Sequence, residues 1–181
     1  LRDWYVPLLR ADKDLSKVMS MEMDLLPTIA AMEQVGIGVD EEKIKELYKK
    51  CTEGIDAALS TMVKISGNEE LNPRSPIQVG DIIYHKFGVL HPSGRTFPQD
   101  GRPPAKFLDE EVIDKLIDAV KDKPRFDYNG WKKEDVVSFL EAFAKSKKLT
   151  KFRSTYTTNL LLLRSSDGNL HTELRQIGAR T

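Results

Sequence analysis

The sequence holds a single cysteine, Cys51, in 181 residues, so it can form no internal disulfide, and this thiol usage fits a reducing compartment. Histidine is almost as scarce. His85, His91 and His171 lie far apart, and no His-x-x-x-His or Cys-x-x-Cys spacing suggests zinc. Long hydrophobic runs are missing too: the longest, Leu160 to Leu163, falls far short of the roughly 20 residues that a membrane span requires. Net charge is zero, with 28 Lys and Arg against 28 Asp and Glu, so any preference for a charged partner must come from local patterning. The chain starts at Leu1 without a basic leader or apolar signal segment and stops at Gly178-Ala-Arg-Thr181, directly after an expected strand. The expectation is that both ends are cut from something longer.

What is present is globular in character. Hydrophobic residues make up 40% and charged residues 31%, enough for a buried core in one domain, or one and a piece. Helical periodicity dominates. Residues 1–19 carry Trp4, Tyr5, Leu8 and Leu9 and read as a short helix or connector that needs a neighbour. From about Ser20 to Gln34, Met21, Leu25, Ile29 and Met32 mark one helical face, and Pro27 predicts a kink or a helix start. Gly36-Ile-Gly-Val39 is a short extended break. Asp40 with Glu41 and Glu42 signals a helix N-terminus. The face formed by Ile44, Leu47, Tyr48, Cys51, Ile55, Ala58, Leu59 and Met62 then predicts a helix over 41–66, about 39 Å long. A rod of that length suggests a protruding hairpin, with Cys51 as a core thiol.

Gly67-Asn68 ends the rod, Leu71-Asn-Pro-Arg74 forms a turn, and Ser75-Pro76 starts a helix running to about Lys86. Residues 88–107, rich in Pro, Gly and Arg, read as an exposed loop. Asp109-Glu-Glu111 opens a helix to about Val120; three consecutive acids at a helix start do not converge on one point and read as capping charge. A polar, aromatic insert at 121–133 precedes a final helix, about Glu134 to Leu163, bent near Ser146. Asn169 to Ile177 alternates as a strand with no visible partner.

The most informative stretch is Lys151-Phe-Arg-Ser-Thr-Tyr156. Between Lys145 and Arg164 stand six basic residues (Lys145, Lys147, Lys148, Lys151, Arg153 and Arg164) and no acid. Leu149, Phe152, Tyr156, Leu160 and Leu163 recur at helical spacing and are expected to face inward, which turns Lys151, Ser154, Thr155 and Thr158 toward solvent. Amino and hydroxyl groups arranged in this way can bond phosphate oxygens. The plainer reading is the solvated side of an ordinary amphipathic helix.

Four blocks stand in order: Met32-Glu-Gln-Val-Gly-Ile-Gly-Val-Asp40, Leu71-Asn-Pro-Arg-Ser-Pro-Ile-Gln78, Leu149-Thr-Lys-Phe-Arg-Ser-Thr-Tyr156, and Gly168-Asn-Leu-His-Thr172 through Gly178-Ala-Arg-Thr181. They resemble in turn M/I-E-x-x-G-V-x-V/I-D, F-N-x-x-S-x-x-Q, L-x-K-L-K-S-T-Y, and G-R-V/I-H-T followed by T-G-R. These are motifs of the family A DNA polymerases, the group of bacterial DNA polymerase I and many phage replicases. The resemblance covers roughly residues 20–181. It implies a mainly α fold: a long antiparallel helical hairpin with small helices at its tip, the polymerase thumb, plus short β-strands at the C-terminal end. Residues 1–19 would be a connector from a preceding exonuclease-like region, 20–168 the thumb, and 169–181 the first strand of a truncated palm.

By the same resemblance, Lys151, Arg153, Ser154 and Thr155 would hold the phosphate backbone of primer-template DNA. Asn72, Arg74, Ser75 and Gln78 would touch the minor groove and sugar-phosphate edge from the thumb tip. Three departures stand out. Phe107-Leu108 occupies positions where the family commonly has a DNA-contacting Ser-Thr pair; Arg74 replaces a neutral Asn or Ser; and the insert at 121–133 is longer than in bacterial enzymes, which favours a phage-type source. That insert, with Trp131, is a candidate contact for a replication partner, although packing is the plainer role for the tryptophan.

The palm motifs D-Y-S-x-x-E-L-R and H-D-E, whose carboxylates hold two Mg²⁺ ions, are not in the sequence. The chain is therefore expected to be inactive alone, with no catalytic or metal-binding residue of its own. Mg²⁺ would belong to the missing palm, and the palm and fingers would be partners in the cytoplasm, the host's if the source is a phage. Two alternatives remain. One is a helical protein-interaction module of the same fold without DNA binding, docking through residues 1–19 and the orphan strand; the other is an independent enzyme, which lacks any convergent set of acids, His or Cys.

Overall fold

A computed structural model describes residues 2–98, 107–122 and 128–173. In chain order the helices are α1 (Arg2–Ala11), α2 (Lys13–Val35), α3 (Glu41–Ser66), α4 (Pro76–Gly80), α5 (Glu110–Asp122), α6 (Lys133–Phe152) and α7 (Asn159–Leu163). Wider π-helical turns follow α4 over Asp81–Lys86 and α6 over Arg153–Thr158, and β1 (Ile37–Gly38) pairs with β2 (Asn169–Leu170). The fold is thus mainly α with a short sheet toward the C-terminal end. It divides into two compact units, 1–41 with 159–181, and 42–158. No described helix is long and apolar enough to cross a membrane.

In the first unit, Asp12 sets the start of α2: its Oδ1 accepts from the backbone N–H of Asp14 at 3.0 Å and of Leu15 at 3.1 Å. The helix therefore begins ahead of the expected Ser20. It also continues through Pro27 to Val35 without restarting there. No residue of α2 is buried; Met21 is 63% and Val35 70% exposed, so the face expected from Met21, Leu25 and Met32 is uncovered among the described residues. The helix ends at Gly36, whose φ of 71° favours glycine and whose N–H donates to the Met32 carbonyl. The side chains of Trp4, Tyr5 and Leu9 lie outside the described set.

The expected orphan strand has a partner. Ile37 stands opposite Leu170 and Gly38 opposite Asn169 in an antiparallel pair. At two residues each, these strands are too short to show the period-2 alternation that would announce β1. Residues 174–177, and the block from Gly178 to Thr181, lie outside the described residues.

In the second unit the buried residues of α3 are Ile44, Cys51, Ala58, Met62 and Ser66, a narrower stripe than its apolar face, and Leu47 and Tyr48 remain exposed. Cys51 is a buried, free thiol. Where α3 ends, Met62 joins Val79, Ile83, Phe87, Ile113, Leu116, Val120, Val136, Phe139 and Leu140 in the main core. Each such side chain contributes roughly 1.5–3 kcal/mol on burial, so the tip is where the fold is anchored. Phe87 N–H bonds the Ile82 carbonyl at 2.9 Å, five residues back, which is the wider π spacing. Lys86 Nζ donates to the Ser66 carbonyl at the end of α3 and lies 5.3 Å from the Trp131 ring centroid, while Trp131 meets Phe87 edge-on at 5.1 Å. Trp131 is a packing residue here. Residues 123–127 of its insert, and 99–106 of the preceding loop, are outside the described set.

The two long helices run antiparallel. Leu149 covers Gly54, where a Cβ would stand 2.7 Å from Leu149 Cδ1, and Arg153 reaches Thr52 and Tyr48, so numbers fall along α3 as they rise along α6. The expected bend at Ser146 is not found. Ser146 is buried within regular α6, and the irregular turn comes later, at Arg153–Thr158.

Candidate nucleic-acid interface

The phase of α6 is set by its apolar first half. Val136, Phe139, Leu140 and Phe143 are buried, and counting on at helical spacing brings Ser146, Thr150, Arg153 and Thr157 to the same side. Thr157 is 2% exposed. Phe152 and Tyr156 consequently point away: they are 40% and 55% exposed and stack on each other at 5.1 Å. The expectation that these two rings pack inward is corrected. A helix face is rigid, and the core at its start outweighs the hydrophobicity of two later residues. Leu163, also expected inward, is exposed.

This phase separates the basic residues. Arg153 turns partly inward, its Nη1 donating to Thr52 Oγ1 at 3.0 Å with the guanidinium 5.4 Å from the Tyr48 centroid. Lys151, Ser154 and Thr155 are exposed. The Ser154 hydroxyl donates to the Lys151 carbonyl at 3.1 Å, and Lys151 makes no ion pair among the described residues. The hydroxyls of Thr157 and Thr158 both donate to the Arg153 carbonyl, at 2.7 and 3.1 Å, which satisfies acceptor capacity in the π-helical turn.

The turn before α4 is knitted by the other four candidate residues. Asn72 Oδ1 accepts from Arg74 N–H at 2.9 Å, Asn72 N–H donates to Gln78 Oε1 at 2.7 Å, and Ser75 caps α4 by accepting from Gln78 N–H at 3.4 Å. Asn72, Ser75 and Gln78 thereby fix the backbone that carries Arg74. Their structural work uses the oxygen of each amide, and the NH₂ groups of Asn72 and Gln78 make no bond to a described residue.

Arg74, Lys151 and Ser154 come together on one groove of about 480 Å³, with Pro73, Pro76, Lys147, Thr150, Ile55, Leu108, Phe143 and Ser146 completing its walls. Three of these residues are cationic and none is acidic. Lys147 Nζ donates to the Leu108 carbonyl, so its charge is fixed at the wall by the segment where the related polymerases were expected to have hydroxyls. Arg153 and Thr155 do not line the groove. Lys147, named in the basic patch, and Thr150 were not among the expected DNA contacts, although Lys147, Lys151 and Ser154 follow the 4-then-3 spacing of a single face. Among the described residues, no cluster of three or more His, Cys, Asp or Glu is placed to hold a metal. At the start of α5, Glu111 pairs with Lys115 at 2.6 Å.

No protein-family model matches the chain. It is similar along nearly its whole length to bacterial DNA polymerases I. That of Treponema pallidum (strain Nichols) is 28% identical over 167 residues, 92% of this chain and 14% of the relative. The Rhizobium leguminosarum protein is 29% identical over 179 residues, 98% of this chain and 15% of the relative, and the Bacillus subtilis (strain 168) protein is 24% identical over 184 residues. The chain thus spans about a seventh of the length of the first two curated relatives it matches. The similarity is thus to one stretch of bacterial DNA polymerases I.

Proposed function

We propose that this chain is the thumb of a family A DNA polymerase, of phage type, and that it grips primer-template duplex during replication. Residues 1–19 serve as the connector from a preceding region, 20–168 as the thumb, and 169–181 as the first strand of the palm. The observation that supports this best is the groove, where Arg74 from one sequence block meets Lys151 and Ser154 from another without a single acid on its walls. Cations and hydroxyls at such spacing suit consecutive phosphates and carry little sequence information. Asn72, Ser75 and Gln78 hold Arg74, and the side-chain amides of Asn72 and Gln78 offer donors to the minor-groove edge, while Arg153 and Thr155 extend the contact beyond the groove. Nucleotidyl transfer, with its Mg²⁺, is assigned to the palm and fingers as cytoplasmic partners, and the insert at 121–133 to a replication partner.

A second reading, a protein-interaction module without DNA binding, draws on the uncovered apolar residues of α2. Fluorescence anisotropy of a labelled primer-template duplex, from low to moderate salt, separates the two. Three cations on phosphates give a slope of log K against log salt of about −3, and Arg74→Ala or Lys151→Ala each reduces its magnitude by about one. Salt-independent binding, or wild type and both variants equally inert, would overturn the proposal.

A further inference from the structure

The Asp167-Gly168 turn and the strand after it carry a polar cluster unconnected with the groove. His171 Nδ1 lies 2.9 Å from the Glu33 carbonyl oxygen, and Nε2 lies 2.9 Å from Asp167 Oδ2. A backbone carbonyl can only accept, and an ionised carboxylate can only accept, so both ring nitrogens must donate. A neutral imidazole has one N–H. This geometry therefore belongs to the imidazolium. Asn169 works alongside it: Nδ2 donates to the Val35 carbonyl at 3.2 Å, and its backbone N–H donates to Asp167 Oδ1 at 3.0 Å. Two carbonyls left open at the end of α2 thus receive side-chain donors, and the one at Glu33 receives a positive charge where the helix dipole is negative. Gly36 permits the approach, since a Cβ there would come 2.9 Å from the Leu170 carbonyl oxygen and 3.0 Å from His171 Cε1.

We propose that His171 is a protonation-dependent clasp: as an imidazolium bridging the Glu33 carbonyl and Asp167, it fastens β2 to the C-terminal end of α2, and losing its proton releases one of the two bonds. Among the described residues, the ionisable groups on the elements that meet it are Asp167 in the turn, Glu33 on α2 and Glu173 two residues along; β1 supplies only Ile37 and Gly38, which carry no charge. The bond to the Glu33 carbonyl, and then that to Asp167, raise the histidine above its ordinary 6.5. The Asn169 N–H, and then His171, hold Asp167 below the usual carboxylate range. A raised histidine contributes stability that is complete below its unfolded value and is lost as pH rises through the folded one. A lowered aspartate contributes stability that is lost as pH falls through its folded value. The clasp is whole between these limits and opens on the alkaline side.

Long-range ¹H–¹⁵N NMR of the labelled 181-residue chain tests this, with His171 assigned by its loss in His171→Gln. The expected result is a doubly protonated His171 at pH 6.5, a midpoint above 6.5 and above that of His91, and a lower midpoint in Asp167→Asn. Amide exchange in β1 and β2, corrected for intrinsic rates, should accelerate as pH passes the wild-type midpoint. A His171 midpoint at or below 6.5, a midpoint indifferent to Asp167→Asn, or strand exchange that ignores the midpoint would each overturn the proposal. The wild-type titration does not depend on the folding of either variant.

Discussion

Arg153 donates to Thr52 Oγ1 at 3.0 Å while lying over the Tyr48 ring, so a single guanidinium ties the π-helical turn after α6 to two successive turns of α3. Thr52→Val keeps the shape and removes the acceptor. A hydrogen bond to a charged but partly solvated group contributes about 1 kcal/mol, so the urea midpoint should fall by a corresponding amount. Duplex affinity should change less than twofold, whereas Arg153→Ala should lose both stability and affinity.

The outward rings give a second test. Phe152→Ser and Tyr156→Ser should each shift stability by no more than about 0.5 kcal/mol, as exposed substitutions do. Phe139→Ala, in the tip core, should cost about 3–5 kcal/mol. Denaturant unfolding of the three variants checks the difference; a loss above about 2 kcal/mol at Phe152 would place it back inside.

These rings also mark what was legible in the sequence. The bounds of α3 were readable because Asp40, Glu41 and Glu42 announce its start and Gly67 its end. The capped start at Ser75 was equally plain. The inward face of α6 was readable in principle, by counting on from Val136 and Phe139 rather than by grouping the largest apolar residues nearby. What was not legible has a common cause. The pairing of β1 with β2, and the meeting of Arg74 with Lys151, join residues far apart in the chain, where no local periodicity carries the signal.

Ser75 separates structural from binding roles at the tip. Ser75→Ala removes the cap of α4 and should cost about 1 kcal/mol. Ser75→Asp restores a capping oxygen, and with it stability, but sets a negative charge beside Arg74. Thermal unfolding should recover in the aspartate variant while duplex affinity stays below wild type.

His91 predicts an acid-side loss of stability. Its Nδ1 accepts from Ser93 N–H at 3.2 Å, its ring lies 4.5 Å from Phe107, and its buried Nε2 has no partner among the described residues. Burial, and then Arg95, push its pKa below the ordinary 6.5. Below pH 6.5 the unfolded chain therefore binds the proton more readily than the folded one, and stability falls as pH drops toward the folded value. Because His85 and His171 are raised and act in the opposite sense, the readout is the difference between wild type and His91→Phe: from about pH 8 to 5.5 the urea midpoint of wild type should fall relative to that of the variant.

Beside α3, Leu149 covers Gly54 and Arg153 reaches Thr52 and Tyr48, whereas the tip is filled by phenylalanines and branched aliphatics. Resistance to opening is therefore graded along the hairpin, stiff at the end held by the core and compliant along the stem. Amide exchange should report the gradient directly, with slow exchange in α5 and early α6 and faster exchange in late α6. A helix pair built in this way can flex along its stem while the turn that carries Arg74 keeps its shape.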